Sequence, residues 1–299
     1  MEPWVYITFG AAAAQTVRFM LQKRLSAGRL SAAGTTFARF VYSAPLVAGL
    51  AFGYAATSGQ GLPSVPAAFW PYAMAGGLAQ ILATVCVVVL FGQRNFAVGI
   101  TFKKTEVLLS ALVGVVVLGE GISWRALGAI LIGLVGVLLL SDTPSAARWH
   151  RRIWNRAAGL GLASGLFFGI SGVGYRGAAL SLPEGDALMR ALVTLMVVTA
   201  LQTLALGGWL LWRQRGEVGR VFAAWRVAGL VGVMSMIGSV CWFTAFALQT
   251  VALVNAVGQV ELILSALATV LVFGERISRR EGIGMVILVV SIVMLILLV

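Results

Sequence analysis

Apolar residues run through this chain in long stretches separated by short polar segments, and the pattern predicts membrane-spanning helices. A spanning helix needs about 20 mostly apolar residues. Ten stretches meet this requirement, at about 4–21, 31–54, 68–91, 96–118, 123–141, 157–180, 186–212, 226–247, 250–273 and 281–299. Because lipid offers the backbone no hydrogen-bond partner, each stretch is expected to be a helix. The pattern therefore predicts an all-α, polytopic membrane protein with ten transmembrane helices.

The composition is that of a protein dissolved in lipid. Of the 299 residues, 60% are hydrophobic and 11% are charged, and the mean hydropathy is +0.97. No basic residue precedes the first apolar stretch, and the first one, Arg18, comes near its end. A cleavable signal peptide has the opposite order, so the first stretch is expected to be a retained helix.

The second half of the chain repeats part of the first half. With an offset of 155 residues, Thr84–Arg125 aligns without gaps on Ser239–Arg280, and 16 of the 42 positions are identical. The matches include both cysteines and the pair Glu106 and Glu261, which apolar composition alone would not align. The pattern indicates an internal duplication. It predicts a first five-helix repeat at 1–141, a cytoplasmic linker at 142–156 and a second five-helix repeat at 157–299.

The net charge of +12 is concentrated on one side of the predicted membrane protein. With ten spans, fifteen loop Lys and Arg residues share one side, and Arg125 alone lies on the other. Positive loops mark the cytoplasmic side, so both termini are expected outside the cytoplasm, in a bacterial-type inner (plasma) membrane. The basic face is expected to meet anionic lipid headgroups rather than nucleic acid. Five helices per repeat then require an inverted second repeat, which is typical of alternating-access transporters.

Short motifs in both halves resemble a known family. They are Leu118-Gly119-Glu120 with Ile122-Ser123, the copies Phe273-Gly274-Glu275 with Ile277-Ser278, and Arg39 and Arg190 in the second helix of each repeat. In this order, the motifs resemble the EamA-like family of the drug/metabolite transporter superfamily. The resemblance implies a ten-helix carrier built from two five-helix repeats.

Ionisable residues within the predicted spans are candidate functional residues, because charge is costly in lipid. Lys103 and Glu106 are three residues apart on a helix and can pair, whereas Lys104 points about 100° away. In the second repeat, Gly258 and Gln259 replace the two lysines. This asymmetry predicts that Lys103 or Lys104 binds an anionic group of a substrate. The alternative is an ion pair that only neutralises itself.

Glu106 and Glu261 occupy equivalent positions in the two repeats. Because a buried carboxyl has a shifted pKa that suits proton transfer, the proton is a candidate coupling ion. The alternative is a structural tie to Arg39, Arg190 or a backbone amide. Gln259 and Glu261 cannot face one cavity unless their helix is broken locally. Of the two, Glu261 is favoured as the binding residue, because the first repeat has a glutamate, Glu106, at the equivalent position. The predicted substrate-binding residues are Arg39, Lys103, Lys104, Glu106, Trp242, Asn255 and Glu261.

Three other features are predicted to be structural. Arg18 and Arg176 are expected to anchor helix ends by snorkelling to the membrane surface. Glu120 is expected to be a turn residue beside Gly119, and Gly119 and Gly274 are expected to cap the C-terminal ends of their helices.

The sequence predicts a secondary active transporter that moves a small polar metabolite, an amino acid or an organic anion, and works as an exporter by alternating access. The alternative is a translocase for a lipid-linked phosphate such as a polyprenyl-phosphate precursor. No nucleophile set, cofactor motif or metal-ligand spacing is found, and His150 is the single histidine. An enzyme is therefore not expected, and the oligomeric state stays open.

Overall fold

The structure is a computed structural model, and it describes residues 2–28, 30–92, 103–140, 156–264 and 279–298. Within these ranges the chain is helical and contains no strand, so the all-α prediction is confirmed. The helices are α1 (Pro3–Gly28), α2 (Ala32–Ser58), α3 (Phe69–Leu90), α4 (Glu106–Leu118), α5 (Trp124–Leu140), α6 (Arg156–Ser181), α7 (Ala187–Arg213), α8 (Glu217–Ala223), α9 (Trp225–Leu248), α10 (Val251–Gly258) and α11 (Arg279–Leu298).

Two of the predicted stretches are not continuous helices. In the stretch predicted at 96–118, Lys104 and Thr105 form a turn before α4 begins. In the stretch predicted at 250–273, Gln259 is a turn between α10 and a short helical segment at 260–264. An apolar pattern continues through such a break unchanged, so the prediction of continuous helices was wrong at both places.

Other differences lie between the predicted stretches. The short helix α8 occupies a segment that was predicted to be a loop between the seventh and eighth stretches. Residues 96–102 and 265–273 of the predicted stretches lie outside the described residues, as do 142–155 of the predicted linker and Gly274.

The outside of the helical assembly is apolar. By length and composition, four of the described helices can cross a membrane, namely α2, α3, α7 and α9, and shorter apolar helices accompany them. Large apolar side chains point outward, with Val116, Leu204 and Leu297 at 75%, 73% and 80% exposure. By contrast, Arg39 and Lys104 are 6% and 3% exposed. Apolar residues outside and charged residues inside are typical of a protein surrounded by lipid.

The helices of the two halves pack in reciprocal pairs. Helix α1 packs against α9 and α3 packs against α6, while α2 pairs with α7 and α5 pairs with α11. Helix α4 contacts α6 and α10, and α10 also contacts α1. The closest approach involves glycine: a Cβ on Gly174 would lie 2.8 Å from Gly76 Cα and 2.8 Å from Tyr72 O. Small residues therefore let α3 and α6 come into backbone contact.

Side chains hold both ends of the α2–α7 pair. At the start of α2, the hydroxyl of Ser31 donates to Oε1 of Gln214, the residue that caps the end of α7, at 2.7 Å. At the other end, Asp186 caps α7 by accepting from Met189 N at 2.7 Å, and the hydroxyl of Tyr54 donates to its Oδ2 at 2.6 Å. These hydrogen bonds lower the pKa of Asp186 below its ordinary value of 3.8, and the one from Tyr54 has the larger effect.

Gly119 ends α4 with a φ of +67°, a backbone conformation that favours glycine. Its N–H donates to the carbonyl of Val115 at 3.2 Å, and the N–H of Glu120 donates to that of Gly114 at 3.2 Å. This is the C-cap that the sequence predicts. The turn delivers the side chain of Glu120 toward α6.

Candidate functional site

A cavity of about 50 Å³ lies where the inner helices of the two halves meet. Polar and aromatic side chains line it, and the sequence analysis predicted five of them as binding residues: Arg39, Lys103, Glu106, Trp242 and Asn255. Their role in binding stays a prediction, but the fold brings these five residues together around one space.

Arg39 of α2 contributes a buried guanidinium to the cavity wall. Its Nη1 donates to Thr84 Oγ1 at 3.1 Å and its Nη2 donates to Ser239 Oγ at 3.4 Å. With the amide oxygen of Gln80 facing Arg39, that oxygen accepts from both nitrogens at 2.8 and 2.9 Å, and the amide nitrogen donates to Ser171 Oγ at 2.5 Å. The opposite orientation would place two donors against each other.

The partners of Arg39 reflect the duplication. Thr84 lies on α3 and Ser239 on α9, and the 155-residue offset aligns these two positions. Arg39 therefore lies between equivalent hydroxyls of the two halves. None of the ion pairs among the described residues includes Arg39. All its described hydrogen-bond partners are uncharged, so its positive charge is not neutralised by a carboxylate within bonding distance.

Lys103 and Glu106 lie together on the same wall, at the break that precedes α4. Lys103 Nζ is 3.3 Å from Glu106 Oε2, and the two side chains are 3% and 11% exposed. The ammonium also lies 4.9 Å from the centroid of the Phe168 ring, which is a cation–π contact. The i, i+3 pairing is the one that the sequence indicates. The pair is neutral as a whole.

Lys104 and Glu261 do not line this cavity and lie behind its wall. Lys104 Nζ is 3.4 Å from Glu261 Oε2, and Gln15 Nε2 donates to the same oxygen at 2.9 Å. Lys104 instead lines a second, very small cavity of about 10 Å³, together with Gln259. The alternative role for Glu261, a tie to Arg39 or Arg190, is not seen, since its described partners are Lys104 and Gln15.

Two arginines that were predicted to snorkel are bonded inside the protein. Arg18 is 3% exposed and donates to Gln15 Oε1 at 3.0 Å and to Gln22 Oε1 at 3.2 Å. Arg176 Nε donates to Glu120 Oε1 at 2.6 Å, and its Nη1 donates to the carbonyls of Phe246 and Gln249 at 2.5 and 2.8 Å. The snorkelling prediction is wrong for both: Arg18 bonds to two glutamines of its own helix, and Arg176 bonds to a carboxylate of the first half and to carbonyls at the end of α9.

Aromatic rings form the remaining wall of the main cavity. Tyr175 stacks on Phe243 with ring centroids 4.1 Å apart, and Trp242 stacks on Phe246 at 5.7 Å. Asn255 donates to Ser110 Oγ at 3.3 Å. Tyr175, Ser239 and the phenylalanines could not be predicted as lining residues from the sequence, because such residues are common in membrane spans. The alignment of Thr84 with Ser239 was the one available signal for the arginine's partners.

The described residues include no group of three or more His, Cys, Asp or Glu side chains that could hold a metal ion. The described side chains that line the cavity can bind a ligand by hydrogen bonding, charge pairing and ring stacking. An apolar exterior around these buried charges defines a multi-pass membrane protein.

Comparison with known proteins finds a family match in the second half of the chain. Residues 155–297 match the EamA-like transporter family. This part of the chain therefore carries an EamA-like domain, consistent with the drug/metabolite transporter superfamily, as the motifs predict, and this family implies a membrane transporter of small substrates. This family comprises transporters rather than enzymes. No curated protein matches the chain.

Solved structures share the fold. Among 27 matching chains is one described as "Crystal structure of protein", with a TM-score of 0.69 and 16% sequence identity. The match covers 99% of this chain and 96% of that chain. At this identity, the likeness concerns the fold alone.

Proposed function

We propose that the protein is a secondary active transporter that exports a small organic anion by alternating access. The observation that carries this proposal is Arg39, a buried guanidinium on the cavity wall whose described partners are all uncharged. A guanidinium binds carboxylate or phosphate with two parallel hydrogen bonds. A buried charge is also costly until it is paired, so an anionic ligand would gain from meeting it.

The balance of buried charges favours an anion over a zwitterion. Apart from Glu217, which pairs with Arg220 on α8, the buried charged side chains of the described residues are the cations Arg18, Arg39, Lys103 and Lys104 and the carboxylates Glu106 and Glu261. Each carboxylate is paired with one lysine. The two arginines are left with neutral hydrogen-bond partners, and an amino acid would bring an ammonium group into this positive surrounding. An amino acid remains the second candidate within the same proposal.

The transport cycle is proposed to involve two inverted repeats of five helices, at 1–141 and 157–299, joined by the linker at 142–156. The reciprocal packing of α1 with α9 and of α3 with α6 supports this arrangement. So do the breaks at Lys104–Thr105 and at Gln259, since the 155-residue offset aligns Lys104 with Gln259. Broken helices at the junction of inverted repeats are typical of transporter binding sites.

The proposed location is the inner membrane, with both termini outside the cytoplasm, because basic loops favour the cytoplasmic side. The energy source is then a gradient of an ion or of the substrate itself. Proton coupling through Glu261 stays a prediction, as does the alternative function as a translocase for a lipid-linked phosphate.

Ligand-dependent thermal stability of the purified protein tests the substrate class. The panel contains amino acids, organic anions, sugar phosphates and polyprenyl phosphates, and the proteins are wild type, Arg39→Gln and Arg190→Gln. Arg190 is the matched control because it aligns with Arg39 in the family motif and does not line the cavity. We expect one class of small anion to stabilise wild type and Arg190→Gln but not Arg39→Gln. Stabilisation by polyprenyl phosphates alone would favour the translocase, and stabilisation by zwitterions in all three proteins would contradict the proposal.

A further inference from the structure

The ion pair between Lys104 and Glu261 joins the two halves of the chain. The ammonium lies 3.4 Å from Glu261 Oε2, and the residues are separated by 157 positions. The two side chains are 2% and 11% exposed. Because neither group is solvated, the lysine supplies the positive charge that the carboxylate needs in order to stay ionised there.

The surroundings of the ammonium resemble a site for a small cation. Lys104 and Gln259 line the same small cavity of about 10 Å³. Gln259 is 4% exposed, and its Oε1 is a buried oxygen without a hydrogen-bond partner among the described residues. Gln259 also ends α10, and the C-terminal end of a helix favours positive charge. The Glu261 carboxylate therefore bonds the ammonium, and an unpartnered amide oxygen and a helix C-terminus lie on the wall of the same cavity as the lysine.

The second half cannot supply its own cation in the way that the first half does. The offset of 155 residues places Gly258 at the position of Lys103 and Gln259 at that of Lys104. A Cβ on Gly258 would overlap the Trp242 ring, so a lysine there would collide with the cavity wall. Gln259 Nε2 donates to the carbonyl of Asn255 at 3.2 Å. The positive charge beside Glu261 consequently comes from the other half.

We infer that Glu261 and Gln259 form a monovalent-cation site that the tethered ammonium of Lys104 occupies permanently. The transporter then needs no exchangeable coupling cation at this position, because the lysine moves with the protein and is never released. This inference argues against the predicted proton coupling through Glu261. Removing the lysine charge leaves the site open to sodium, lithium or a proton. This inference concerns coupling and does not depend on the substrate being an anion.

Other charges near Glu261 limit which cation can enter. Lys103, which neighbours Lys104 in the chain, and Arg18 on α1 also act electrostatically on the Glu261 carboxylate. Glu106 is paired with Lys103. In Lys104→Gln, two positive charges thus remain close to the opened site, so it is expected to take one small monovalent cation or one proton and to discriminate against divalent ions.

Thermal stability in defined salts tests the inference without any substrate. Wild type, Lys104→Gln, Lys104→Arg and Lys104→Gln/Glu261→Gln are compared in sodium, lithium and choline chloride at equal ionic strength, and over a pH series. We expect wild type and Lys104→Arg to have the same Tm in all three salts. The Tm of Lys104→Gln should rise by about 5 °C in sodium or lithium, or on acidification, because an added ligand then binds the folded state.

The double variant separates cation binding at Glu261 from general salt effects. It lacks both charges, so it should fold. Its Tm should not depend on the salt, and it should not show the stabilisation on acidification that is expected for Lys104→Gln. An equal stabilisation of wild type by sodium would overturn the inference, because the site would then be free in the native protein. The inference would also be overturned if Lys104→Gln had the same Tm in every salt and at every pH, or if it were unfolded under all of these conditions. The wild-type comparison is decisive even where neither variant folds.

Discussion

Lys103 Nζ lies 3.3 Å from Glu106 Oε2 where the chain enters α4, and both side chains are buried on the wall of the central cavity. Removal of one partner leaves the other charge buried and unpaired, which costs about 3–5 kcal/mol. Lys103→Gln and Glu106→Gln are therefore each expected to lower the free energy of unfolding by that amount.

The double variant Lys103→Gln/Glu106→Gln leaves no unpaired charge at this position, so it should recover most of the lost stability. Denaturant unfolding in micelles measures all four proteins of this double-mutant cycle. Additive losses, with the double variant less stable than either single variant, would show that the two charges do not stabilise each other.

Arg176 joins the turn after α4 to the end of α9. It binds the Glu120 carboxylate and the carbonyls of Phe246 and Gln249, and its side chain is 12% exposed. A hydrogen bond that involves a charged group contributes about 1.5–3 kcal/mol. Arg176→Gln should accordingly lower the free energy of unfolding by at least about 2 kcal/mol.

The matched control for Arg176 is Arg125→Gln, which changes an exposed arginine at the start of α5. Its effect on the free energy of unfolding should stay within about 0.5 kcal/mol. Equal effects of the two substitutions would mean that the bonds of Arg176 do not hold the helix ends together.

Gly174 tests the close contact between α3 and α6. A Cβ at this position would lie 2.8 Å from backbone atoms of α3, which cannot move away as a side-chain end can. Gly174→Ala should destabilise the protein by about 1–3 kcal/mol. Gly208→Ala on α7 is the control, since no atom lies within 4 Å of the added Cβ, and it should be neutral or slightly stabilising. Thermal unfolding that ranks the two variants in the opposite order would contradict the packing described here.

Asp186 gives the stability of the α2–α7 contact a defined pH dependence. The hydrogen bond from Tyr54, with that from Met189, lowers its pKa in the folded state below 3.8. The stabilisation is therefore complete above the ordinary pKa and is lost as the pH falls through the folded pKa. Since Asp186 is exposed, the loss should be under about 1 kcal/mol.

Asp186→Asn is expected to remove this acid-induced loss while it keeps an acceptable N-cap on α7. The relevant comparison is the free energy of unfolding of wild type and variant between about pH 6 and pH 3. A variant that loses as much stability on acidification as wild type would exclude Asp186 as the group responsible.

Much of the fold could be predicted from sequence because its cause is local. Apolar stretches long enough to span a membrane become helices, and Gly119 ends α4 because glycine adopts a positive φ. The Lys103–Glu106 pair was predictable for the same reason, since a helix, like the turn that Lys104 and Thr105 form instead, brings side chains three residues apart together. Each of these features depends on neighbouring residues alone.

The features that the sequence did not reveal depend on how distant helices pack. The pairing of Lys104 with Glu261 and of Arg176 with Glu120 requires helices from both halves to meet, and no pattern within one helix encodes that meeting. The breaks at Lys104–Thr105 and Gln259 interrupt the backbone without interrupting the apolar pattern. Arg39 was a candidate by its motif, but its neutral surroundings became evident only in the folded structure.

The most direct test of the proposed function is the set of metabolites that cells release. Expression of wild type, Arg39→Gln and Arg190→Gln in one host, followed by untargeted mass spectrometry of the medium, measures export whatever the substrate is. We predict that wild type and Arg190→Gln enrich one class of small organic anion in the medium. Arg39→Gln should reduce its export at least about 30-fold, as loss of a buried charge pair costs about 2 kcal/mol or more. Enrichment of zwitterions or cations that Arg39→Gln leaves unchanged would contradict the account.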